Sequence, residues 1–381
     1  MASRGNIPWL MEQAGIEMID PAAGAPLVYR ELVHGSGHEV LYSGSLGALE
    51  ESSADTLDLE TANQALREGD PPHIMLSSVS GYSLQEGVTF EVTLDPNDEP
   101  FLHDHALNGT PLLPGVMGIE GFAVAAQHIA SVLGSSEKSE LRVSALEDIE
   151  FLTPFKFYRN QPRHILWKAM PLRQEGHLTV SITLESRSPS KLAADSDELI
   201  QHFSGTVHLQ PESKAVPAAM IEAPKWNGHY TLNDKTIYEL YFHGPAFQVL
   251  EGVQRSGDHL LGKLRKDLPE FTSKPTRLDT TPLLLELCLQ TAGIWEIGLT
   301  GAMALPLSIG KVTLYHRPVN GEPIYAQVHM DDSGDGIVFS SQVVDGAGNL
   351  YLEMENYRTS ATPYPVDEVR RAPLKQLIAG D

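Results

Sequence analysis

Residues 114–126 read PGVMGIEGFAVAA, and the apolar run that they open continues to about Leu133. A second stretch, PLLLELCLQTAGIW from residue 282 to residue 295, is apolar in the same way and continues to about Gly298. Each is long enough for a helix, and the proline at its start suits the first helical turn, where the missing N–H is not needed. A helix that is apolar on nearly every face must be enclosed by other structure, so these stretches predict two buried helices.

The segments around both helices alternate apolar and polar residues and contain β-branched or aromatic side chains, which predicts strands with one buried face. Five of these segments begin at Gly87, His177, His202, Ile337 and Leu350. The two apolar stretches start 282 − 114 = 168 residues apart, and a proline-rich stretch from Pro211 to Pro224 separates their strand sets. We therefore predict an α+β fold in which one unit occurs twice, each a long buried helix wrapped by a curved antiparallel sheet.

The composition excludes several classes of function. The 381 residues include 27 Lys and Arg against 50 Asp and Glu, a net charge of −23, which argues against a broad surface for nucleic acid or anionic lipid. One cysteine forbids an intramolecular disulfide and a multi-thiolate zinc site, and it fits a reducing compartment. No apolar run reaches the roughly 18 to 20 residues of a membrane span, and the N-terminus lacks a secretory signal. We therefore expect a soluble cytoplasmic protein.

Composition also divides the chain into five segments. Residues 8–48 read as one helical fragment, a Pro/Gly turn at Pro21 to Pro26 and a short strand from Glu39 to Tyr42, too little for a core. Residues 50–70 hold seven acidic residues and one basic residue, which is the composition of a linker. We expect a fragment with this linker, a first domain, a second linker, a second domain and a tail. Their ranges are 1–70, 71–210, 211–228, 229–365 and 366–381.

His105 is the first candidate for chemistry, because it lies just before the first buried helix. Its side chain titrates nearest to neutral pH and is a natural proton acceptor. The helix begins near Gly115, where unpaired N–H groups carry partial positive charge and the missing side chain lets a ligand oxygen approach the backbone. Two other interpretations stay open: His105 is a structural core residue, or it binds a metal together with His103 on one strand face. No further ligand cluster follows, so we predict no metal.

Glu286 is the second candidate, a carboxyl inside an apolar helix, where charged side chains are rarely buried without a partner. Burial should raise its pKa and keep it protonated, as a general acid requires. Gln290 lies one turn later on the same face, placed to hydrogen-bond the carboxyl. The alternative, that this part of the helix is exposed and the carboxyl is solvated, is equally open. Cys288 points elsewhere and is interpreted as a small core residue.

Four motifs in order resemble those of dehydratase domains in type I polyketide synthases and polyunsaturated fatty acid synthases. His105, Gly109 and Pro114 match the HxxxGxxxxP signature. Residues 241–248, YFHGPAFQ, resemble the GYxYGPxFQ motif, and residues 282–290 fall on the PxxxDxxxQ segment. The fourth motif, LPLS, begins at Leu305 and resembles the LPFxW segment.

The resemblance covers about residues 75–362 and implies a double hotdog fold. Residues 8–48 resemble the C-terminal end of a ketoreductase domain, which often precedes the dehydratase in such synthases. The implied reaction is loss of water from a (3R)-3-hydroxyacyl thioester on an acyl carrier protein, which gives a trans-2-enoyl thioester. Acyl carrier protein, neighbouring synthase domains and a homodimer are the implied partners. No cofactor is implied beyond the phosphopantetheine arm of the carrier.

By resemblance, His105 removes the C2 proton, Glu286 protonates the departing hydroxyl, and the helix N-terminus near Gly115 stabilises enolate charge on the thioester oxygen. The residues expected to bind substrate belong to the four motifs or adjoin them. They are Gly109, Pro114, Gly115, His243, Gly244, Pro245, Phe247, Gln290 and Leu305. An acid and a base held at different pKa values, meeting between two fused halves in a dry tunnel, agree with this chemistry.

Three features depart from the family pattern. Glu286 stands where Asp is usual, so its carboxyl must retract by a rotamer change or the substrate must sit differently. His243 replaces the Tyr before Gly-Pro, which alters a hydrogen bond or adds a titrating group. Leu307 and Ile309 replace Phe and Trp, which suggests a reshaped acyl pocket. The Glu-Leu-Cys-x-Gln variant resembles the polyunsaturated fatty acid and enediyne type branch more than the modular macrolide branch.

A basic segment is a candidate docking surface for the acidic carrier protein. From Phe155 to Arg173 there are five Lys or Arg residues and no acid, although solvated charges on an exposed strand pair are the simpler explanation. The docking candidates are Arg159, Arg163, Lys274 and Arg277. Two alternatives to dehydration also stay open: a double-bond isomerase or cyclase on the same fold, and a catalytically silent spacer that binds carrier protein or holds the dimer together.

Overall fold

The computed structural model describes residues 21–34, 59–68, 71–83, 87–133, 141–174, 177–187, 199–211, 220–227, 231–315, 321–332 and 336–379. The chain divides into two compact units, Met1–Asp58 and Leu59–Asp381. In the first unit, helix α1 spans Pro21–His34, so the predicted Pro/Gly turn is wrong. Pro21 opens the helix, where its missing N–H has no partner to lose. The predicted strand from Glu39 to Tyr42 and most of the ketoreductase-like segment lie outside the described residues.

The second unit contains two similar sets of strands, each with one long helix. The first half comprises α2 (Leu59–Glu68), β1 (Ser78–Ser83), β2 (Gly87–Leu94), α3 (Pro100–His103), β3 (Ala106–Leu107), β4 (Thr110–Pro111), α4 (Gly115–Leu133), β5 (Leu141–Phe151), β6 (Arg163–Gln174), β7 (His177–Arg187) and β8 (Leu199–Pro211). The second half comprises β9 (Leu232–Asn233), α5 (Asp234–Tyr238), β10 (Leu250–Ser256), β11 (His259–Leu264), α6 (Pro282–Thr300), β12 (Ala302–Leu314), β13 (Ile324–Asp332), β14 (Ile337–Asp345), β15 (Leu350–Pro365) and α7 (Glu368–Ala379).

Thirteen of the strands form one continuous sheet, in the order β1-β2-β6-β7-β8-β5-β12-β15-β14-β13-β11-β10-β9. The halves join where β5 pairs antiparallel with β12, with Ile149 opposite Ile309 and Leu146 opposite Val312. The long helix α4 packs against the strands of the first half and α6 against those of the second. The predicted double hotdog is therefore confirmed, and the five strands predicted from sequence lie within β2, β7, β8, β14 and β15.

Glycines on α4 let aromatic rings of the sheet lie directly against the helix. A Cβ at Gly121 would lie 2.2 Å from the Trp167 ring, and one at Gly118 would lie 2.5 Å from the Phe203 ring. Phe122 is fully buried and meets Trp167 edge to face, with ring centroids 5.7 Å apart. Burying one such side chain contributes about 1.5–3 kcal/mol of hydrophobic free energy.

Helix α6 is equally enclosed, although among the described residues it is the one helix long and apolar enough to cross a membrane. In its most apolar window, 78% of the residues are buried inside the fold. A core helix meets the same criteria of length and hydropathy, so this is weak evidence for a span. The helix ends at Thr300 and is capped by Gly301, which adopts a left-handed conformation with φ 73° and donates its N–H to the Ile297 carbonyl.

The acidic segment predicted as linker to residue 70 contains helix α2, which belongs to the second unit. Ala62 and Leu66 are buried. The Asn63 side chain accepts a hydrogen bond from the Val79 N–H (2.8 Å) and donates one to the Val79 carbonyl (2.9 Å). The second unit therefore begins about twelve residues before the predicted boundary. The sequence does not show this, because α2 is held by two buried side chains and one hydrogen-bonding residue and lacks a strongly apolar face.

The segment predicted as a tail, residues 366–381, is also part of the fold. Leu374 and Leu377 of α7 are buried. Arg371 donates hydrogen bonds to the carbonyls of Gly298 and Leu299 in the last turn of α6, where carbonyl groups lack partners within the helix. Helix α7 thus covers the end of the helix that carries Glu286.

Candidate active site

One cavity between the two halves is lined by both predicted catalytic side chains, His105 and Glu286. It holds about 900 Å³ of empty space, part of which is open to solvent. The first half contributes His105, Gly115 and Phe151, among others, and the second contributes one face of α6 together with residues of β12 and β15. Only 4% of the surface of Glu286 is exposed, so the interpretation of a solvated carboxyl is wrong.

His105 is held in a defined orientation by the backbone of Leu112. Its Nδ1 lies 3.0 Å from the Leu112 carbonyl, and the Leu112 N–H donates to the His105 carbonyl at 2.9 Å. A carbonyl only accepts, so Nδ1 carries the proton and Nε2 offers its lone pair. Burial, helped by the neighbouring His243, lowers the pKa of His105 to about 4, although Glu286 opposes the shift. The imidazole is therefore neutral near pH 7 and able to accept a proton.

Glu286 lies on the cavity face of α6 and has two polar partners. Its Oε1 accepts a hydrogen bond from Gln290 Nε2 at 2.8 Å and lies 3.2 Å from His243 Nε2. Burial acts to raise the pKa of Glu286, but the hydrogen bond and charge of His243, with His105 and Gln290, hold it below its usual value. The expectation that burial leaves this carboxyl with a raised pKa is wrong, because it took no account of His243.

Gln290 fixes Glu286 through a hydrogen-bond network of the second half. Its Nε2 also donates to the Phe247 carbonyl at 2.8 Å, and its Oε1 accepts from the Tyr238 hydroxyl at 2.9 Å. The Tyr241 hydroxyl donates to the Gln290 carbonyl at 2.6 Å. The predicted role of Gln290 as a partner of Glu286 is confirmed, and the two tyrosines are partners that their sequence positions did not reveal.

His243 connects the acid and the base. Its ring centroid lies 5.4 Å from that of His105, and the two residues form an isolated antiparallel bridge between the halves. Asp104 secures this contact, since its backbone carbonyl accepts the Gly244 N–H and its carboxylate accepts the Ala246 N–H, both at 2.7 Å. The second ring nitrogen of His243, Nδ1, is buried and has no hydrogen-bond partner in the part of the chain that the structure describes.

The N-terminus of α4 faces the same cavity through Gly115. The Pro114 carbonyl accepts the N–H groups of Met117 and Gly118, whereas no described residue accepts the N–H of Gly115. The space that a Cβ of Gly115 would occupy is filled by the Phe151 ring, 2.8 Å from the ideal Cβ position. Glycine is therefore needed at this position to make room for the Phe151 ring. The expectation that the missing side chain makes room for a ligand is wrong, because the ring fills that space.

Of the residues expected to bind substrate, Gly115, His243, Gln290 and Leu305 line the cavity. The others are not among the lining residues: Gly109, Pro114, Gly244, Pro245 and Phe247. Gly109 has φ +75° in the turn between β3 and β4, and a Cβ at Gly244 would meet the Asp104 carboxyl at 2.6 Å. The interpretation of Leu307 and Ile309 as pocket residues is wrong, because Leu307 is exposed and Ile309 is fully buried in the core.

The metal interpretation of His103 and His105 is not supported. His103 is an exposed residue of α3 that pairs with Asp104, so the two histidines do not share a strand face. Among the described residues, the group with spacing suited to a metal is Asp258, His259 and His329, and none of these lines the cavity. Cys288 is a buried core residue as predicted, and burial raises its pKa to about 12.

The docking candidates differ in how free their side chains are. Arg163 donates to the Lys156 carbonyl and to Ser186 Oγ, both at 2.7 Å, and stacks over Phe155, so it is a structural residue rather than a free cation. Arg277 pairs with Asp279 at 3.3 Å. Arg159 and Lys274 are exposed, and their docking role stays a prediction.

Glu296 is a cavity residue that was not predicted from the sequence. It lies on α6, ten residues after Glu286, and both oxygens of its carboxyl are within hydrogen-bond distance of Thr359 on β15. The signal that singled out Glu286, a carboxyl in an apolar helix, applies equally to Glu296.

Two family models match the second unit. A model described as "Polyketide synthase dehydratase domain" matches residues 73–186, and one described as "Polyketide synthase dehydratase N-terminal domain" matches residues 228–368. Among curated proteins, polyketide synthase GfsE of Streptomyces halstedii is 26% identical over 247 residues. That alignment covers 63% of this chain but only 6% of the relative.

Solved structures share the fold. A dehydratase domain of a trans-AT polyketide synthase from Brevibacillus brevis superposes with a TM-score of 0.61 at 20% identity, covering 76% of this chain and 98% of that one. The dehydratase domain from the CurK module of the curacin polyketide synthase superposes with a TM-score of 0.59 at 18% identity, again covering 76% and 98%. At these identities the likeness concerns the fold alone.

Proposed function

Because the chain belongs to the polyketide synthase dehydratase family, we propose that it removes water from a (3R)-3-hydroxyacyl thioester on an acyl carrier protein, which gives a trans-2-enoyl thioester. One observation supports this most directly. The imidazole of His105, neutral near pH 7, and the buried carboxyl of Glu286 line one cavity from opposite halves. A base and an acid on two sides of one substrate are what a β-elimination requires.

His105 is the base in this proposal. Its Nδ1–H is held by the Leu112 carbonyl, so Nε2 accepts the proton from C2 of the substrate. Negative charge then develops on the thioester oxygen, where the N-terminus of α4 and the unpartnered N–H of Gly115 stabilise it. An apolar wall that includes Leu113 and Phe151 excludes water and strengthens both interactions.

The pair of Glu286 and His243 supplies the acid. The C3–O bond breaks as the C2–C3 double bond forms, and the departing hydroxyl takes a proton to leave as water. The pair holds one proton in the working state, and Glu286, whose Oε1 lies 3.2 Å from His243 Nε2, passes that proton to the hydroxyl. His105 then holds one proton more and the pair one fewer. The site resets when that proton returns to His243, whose ring lies 5.4 Å away.

Relatives support the residue types in these roles. The CurK dehydratase has been solved as an Asp-to-Asn variant and as a His-to-Phe variant, and both are described as inactive mutants. In this chain His105 carries the histidine of the family signature, and Glu286 stands at the position of its acid.

The test is direct turnover of a synthetic (3R)-3-hydroxyacyl pantetheine thioester, with the enoyl product measured by liquid chromatography and mass spectrometry. We expect His105→Phe and Glu286→Gln each to lower kcat by about 10²–10⁴-fold, the usual contribution of an acid or base. His103→Phe and Glu270→Gln are matched controls, because both residues are exposed and outside the cavity. Near wild-type turnover by either site variant would contradict its role.

The same assay separates the alternatives. One solved relative is described as a bifunctional dehydratase-cyclase domain in ambruticin biosynthesis, so cyclised products are sought in the same chromatograms. Feeding a 2-enoyl thioester and finding a 3-enoyl product would indicate an isomerase. A folded protein that turns over none of these thioesters would indicate a silent spacer.

We further propose that the chain works in the cytoplasm as a homodimer beside other synthase domains and receives its substrate from acyl carrier protein. Exposed Lys274 and Arg159 are the candidate contacts for the carrier phosphate. Charge reversal at Lys274 should raise KM for the carrier-bound substrate but leave KM for the pantetheine thioester unchanged. Equal changes in both values would exclude this docking role.

A further inference from the structure

The cavity extends along α6 well beyond Glu286. Glu286, Gln290, Gly293 and Glu296 all line it, at spacings of three or four residues that place them on one face of the helix. With a rise of 1.5 Å per residue, the backbone at Glu296 lies about 15 Å further along the helix axis than that at Glu286. The cavity-lining face of α6 therefore spans about the length of an extended acyl chain, from Glu286 beside the reacting carbons to Glu296.

Two strands enclose this far end. Met303, Ala304 and Leu305 of β12 line it together with Tyr357 and Thr359 of β15. The β12 residues present apolar side chains, whereas β15 presents two hydroxyls. Tyr357 and Thr359 are two positions apart, so their side chains leave the strand on the same face.

The carboxyl of Glu296 is buried and has a single hydrogen-bond partner among the residues that the structure describes. The residue is 6% exposed, and Thr359 Oγ1 lies 2.7 Å from Oε1 and 2.8 Å from Oε2. Burial raises the pKa of Glu296, and the Thr359 hydroxyl offsets only part of the rise. A carboxyl group offers about four acceptor positions, or one donor and the remaining acceptors when it is protonated. One hydroxyl leaves most of that capacity unused.

Tyr357 adds a second polar group with spare capacity. It lines the cavity, and its hydroxyl makes no hydrogen bond to any of the described residues. Burial, with the charges of Glu296 and Glu286, raises the pKa of Tyr357, so the hydroxyl keeps its proton and can donate it. The Glu296–Thr359 pair and the Tyr357 hydroxyl thus line one largely apolar cavity, and the charge of Glu296 acts on Tyr357.

Buried polar groups with unused hydrogen-bonding capacity destabilise the folded protein unless a ligand bonds to them. An apolar residue at position 296 would avoid this cost. The Thr359 contact ties α6 to β15, but apolar packing would serve that purpose as well. The polar groups therefore indicate a ligand that brings its own oxygen to this place.

We propose that Glu296, Thr359 and Tyr357 bind a hydroxyl or carbonyl oxygen carried by the acyl chain itself, remote from the carbons that react. This inference rests on the proposed dehydration and deepens it by naming the substrate class, an oxygenated acyl chain of the polyketide kind rather than a plain hydrocarbon chain. Glu296 accepts from a chain hydroxyl or, when protonated, donates to a chain carbonyl, and Tyr357 donates to either.

A competition assay tests the proposal. Two (3R)-3-hydroxyacyl pantetheine thioesters of equal chain length, one plain and one with a second hydroxyl remote from C3, are mixed with the protein at equal concentration. The ratio of the two enoyl products gives the ratio of kcat/KM values, independent of the active fraction of enzyme. A series that moves the second hydroxyl one carbon at a time locates the distance that matches the Glu296 end. We expect the best-placed hydroxyl to be preferred about 10- to 100-fold, as for one hydrogen bond to an ionisable group.

Variants then assign the preference to this end of the cavity. Glu296→Leu should remove the preference, Thr359→Val should reduce it, and Glu296→Gln, which keeps a donor and an acceptor, should retain most of it. The matched control is Glu355→Leu, the same change at an exposed position on β15, which should keep the wild-type ratio. Thermal unfolding curves of all variants separate loss of preference from loss of fold.

Each outcome bears on one claim. Equal turnover of the plain and hydroxylated chains at every hydroxyl position, or a ratio unchanged in Glu296→Leu, would overturn the proposed oxygen site while leaving dehydration intact. The competition is repeated with N-acetylcysteamine thioesters, which lack the second amide of pantetheine. If Glu296→Leu then no longer changes the product ratio, the site binds that amide, and the proposed oxygen site is also overturned. Dehydration of neither chain would refute the proposed function instead.

Discussion

His243 determines the charge of the acid in the site. It lies 3.2 Å from Glu286, and its hydrogen bond and charge lower the pKa of that carboxyl against the effect of burial. In His243→Phe burial acts with far less opposition, so the pKa of Glu286 should rise. In the proposed mechanism the alkaline limb of kcat/KM reports loss of the proton that the Glu286–His243 pair holds. In His243→Phe Glu286 holds that proton alone, so the limb should move and report the raised pKa of Glu286.

The acid limb provides the internal comparison for His243→Phe. It reflects His105, whose pKa of about 4 is set first by burial and only second by His243, so it should move less than the alkaline limb. Dehydration of the pantetheine thioester across pH 3–10 measures both limbs. An alkaline limb that stays in place would show that His243 does not control the acid. His243→Tyr, which restores the residue usual in the family, tests whether a neutral hydroxyl serves instead.

Glu286→Asp examines the longer acid of this chain. Shortening the side chain by one methylene breaks the 2.8 Å contact with Gln290 or the 3.2 Å contact with His243, unless the helix moves. A misplacement of about 1 Å costs on the order of 10²-fold in rate, so we expect kcat to fall by about that factor. In the double variant with His243→Tyr the loss should be smaller than the product of the single losses, which a double-mutant cycle of kcat values measures. Independent, multiplicative losses would argue against coupling between these positions.

Single residues also show how far sequence alone leads. His105 and Glu286 were predictable, because a polar group beside or inside an apolar helix stands out without any knowledge of its neighbours. The lowered pKa of Glu286 was not predictable, since it depends on His243, which lies 43 residues away in the chain and becomes a neighbour only through folding. The same holds for Glu296, whose partner Thr359 lies on another strand.

At the scale of elements, Glu120 connects the two long helices. This fully buried residue of α4 accepts the N–H groups of Asp279 and Thr280, each at 2.8 Å, and the Thr280 hydroxyl, immediately before α6 begins. Burial raises its pKa from 4.5 to about 7, against the hydrogen bonds from Thr280 and Asp279. The segment that leads into α6 is thus fixed to the helix of the other half by one carboxyl.

Glu120→Gln should change how stability depends on pH. The folded protein keeps the Glu120 proton up to about pH 7 whereas the unfolded chain loses it near 4.5, so this group lowers the free energy of unfolding as pH rises across that window. The variant should lose that slope and, near pH 5, be less stable by about 1–3 kcal/mol, because one amide oxygen replaces two acceptors. Urea unfolding at pH 5 and pH 8 measures this, with exposed Glu150→Gln as control. Parallel pH profiles of variant and wild type would contradict the prediction.

The regular elements were predictable where periodicity was strong. Helices α4 and α6 and five strands follow from apolar runs and from strict alternation, because burial demands those patterns. Helices α2 and α7 escaped prediction. The first buries only Ala62 and Leu66, and the second contains Pro373 and only two buried leucines, so tertiary contacts fix helices that their own composition does not favour.

For the molecule as a whole, α7 supports the second half from its end. Leu374 is fully buried where α7 packs on α6, the helix that carries Glu286, Gln290 and Glu296. Leu374→Ala should lower the free energy of unfolding by about 2–5 kcal/mol, the range for deleting a buried leucine side chain. Urea unfolding measures the loss, and Val369→Ala on the same helix is the control, because Val369 is 84% exposed. An equal effect of both substitutions would show that α7 is not held by its buried face.

The continuous sheet explains why the site needs both halves. Strands β5 and β12 pair along the join, so each half is completed by an edge of the other and no unpaired edge remains between them. His105 and Glu286 lie on opposite sides of this join. The duplication is visible in the sequence as a 168-residue offset between the two apolar stretches. The pairing of β5 with β12 is not visible, because the alternation of apolar residues indicates which face of a strand is buried but not which strand pairs with it.

The burial of Cys288 makes the protein a ready subject for site-specific spectroscopy. It is the one cysteine of the chain, and burial raises its pKa to about 12, so a thiol reagent should ignore it in the native state. A cysteine introduced on the surface would then carry a fluorophore or spin label alone, with no background to remove. In the unlabelled protein, the rate at which Cys288 reacts with a maleimide reports how often the core around α6 opens, and mass spectrometry would follow it. Rapid modification under native conditions would show that this core opens locally on the timescale of the reaction.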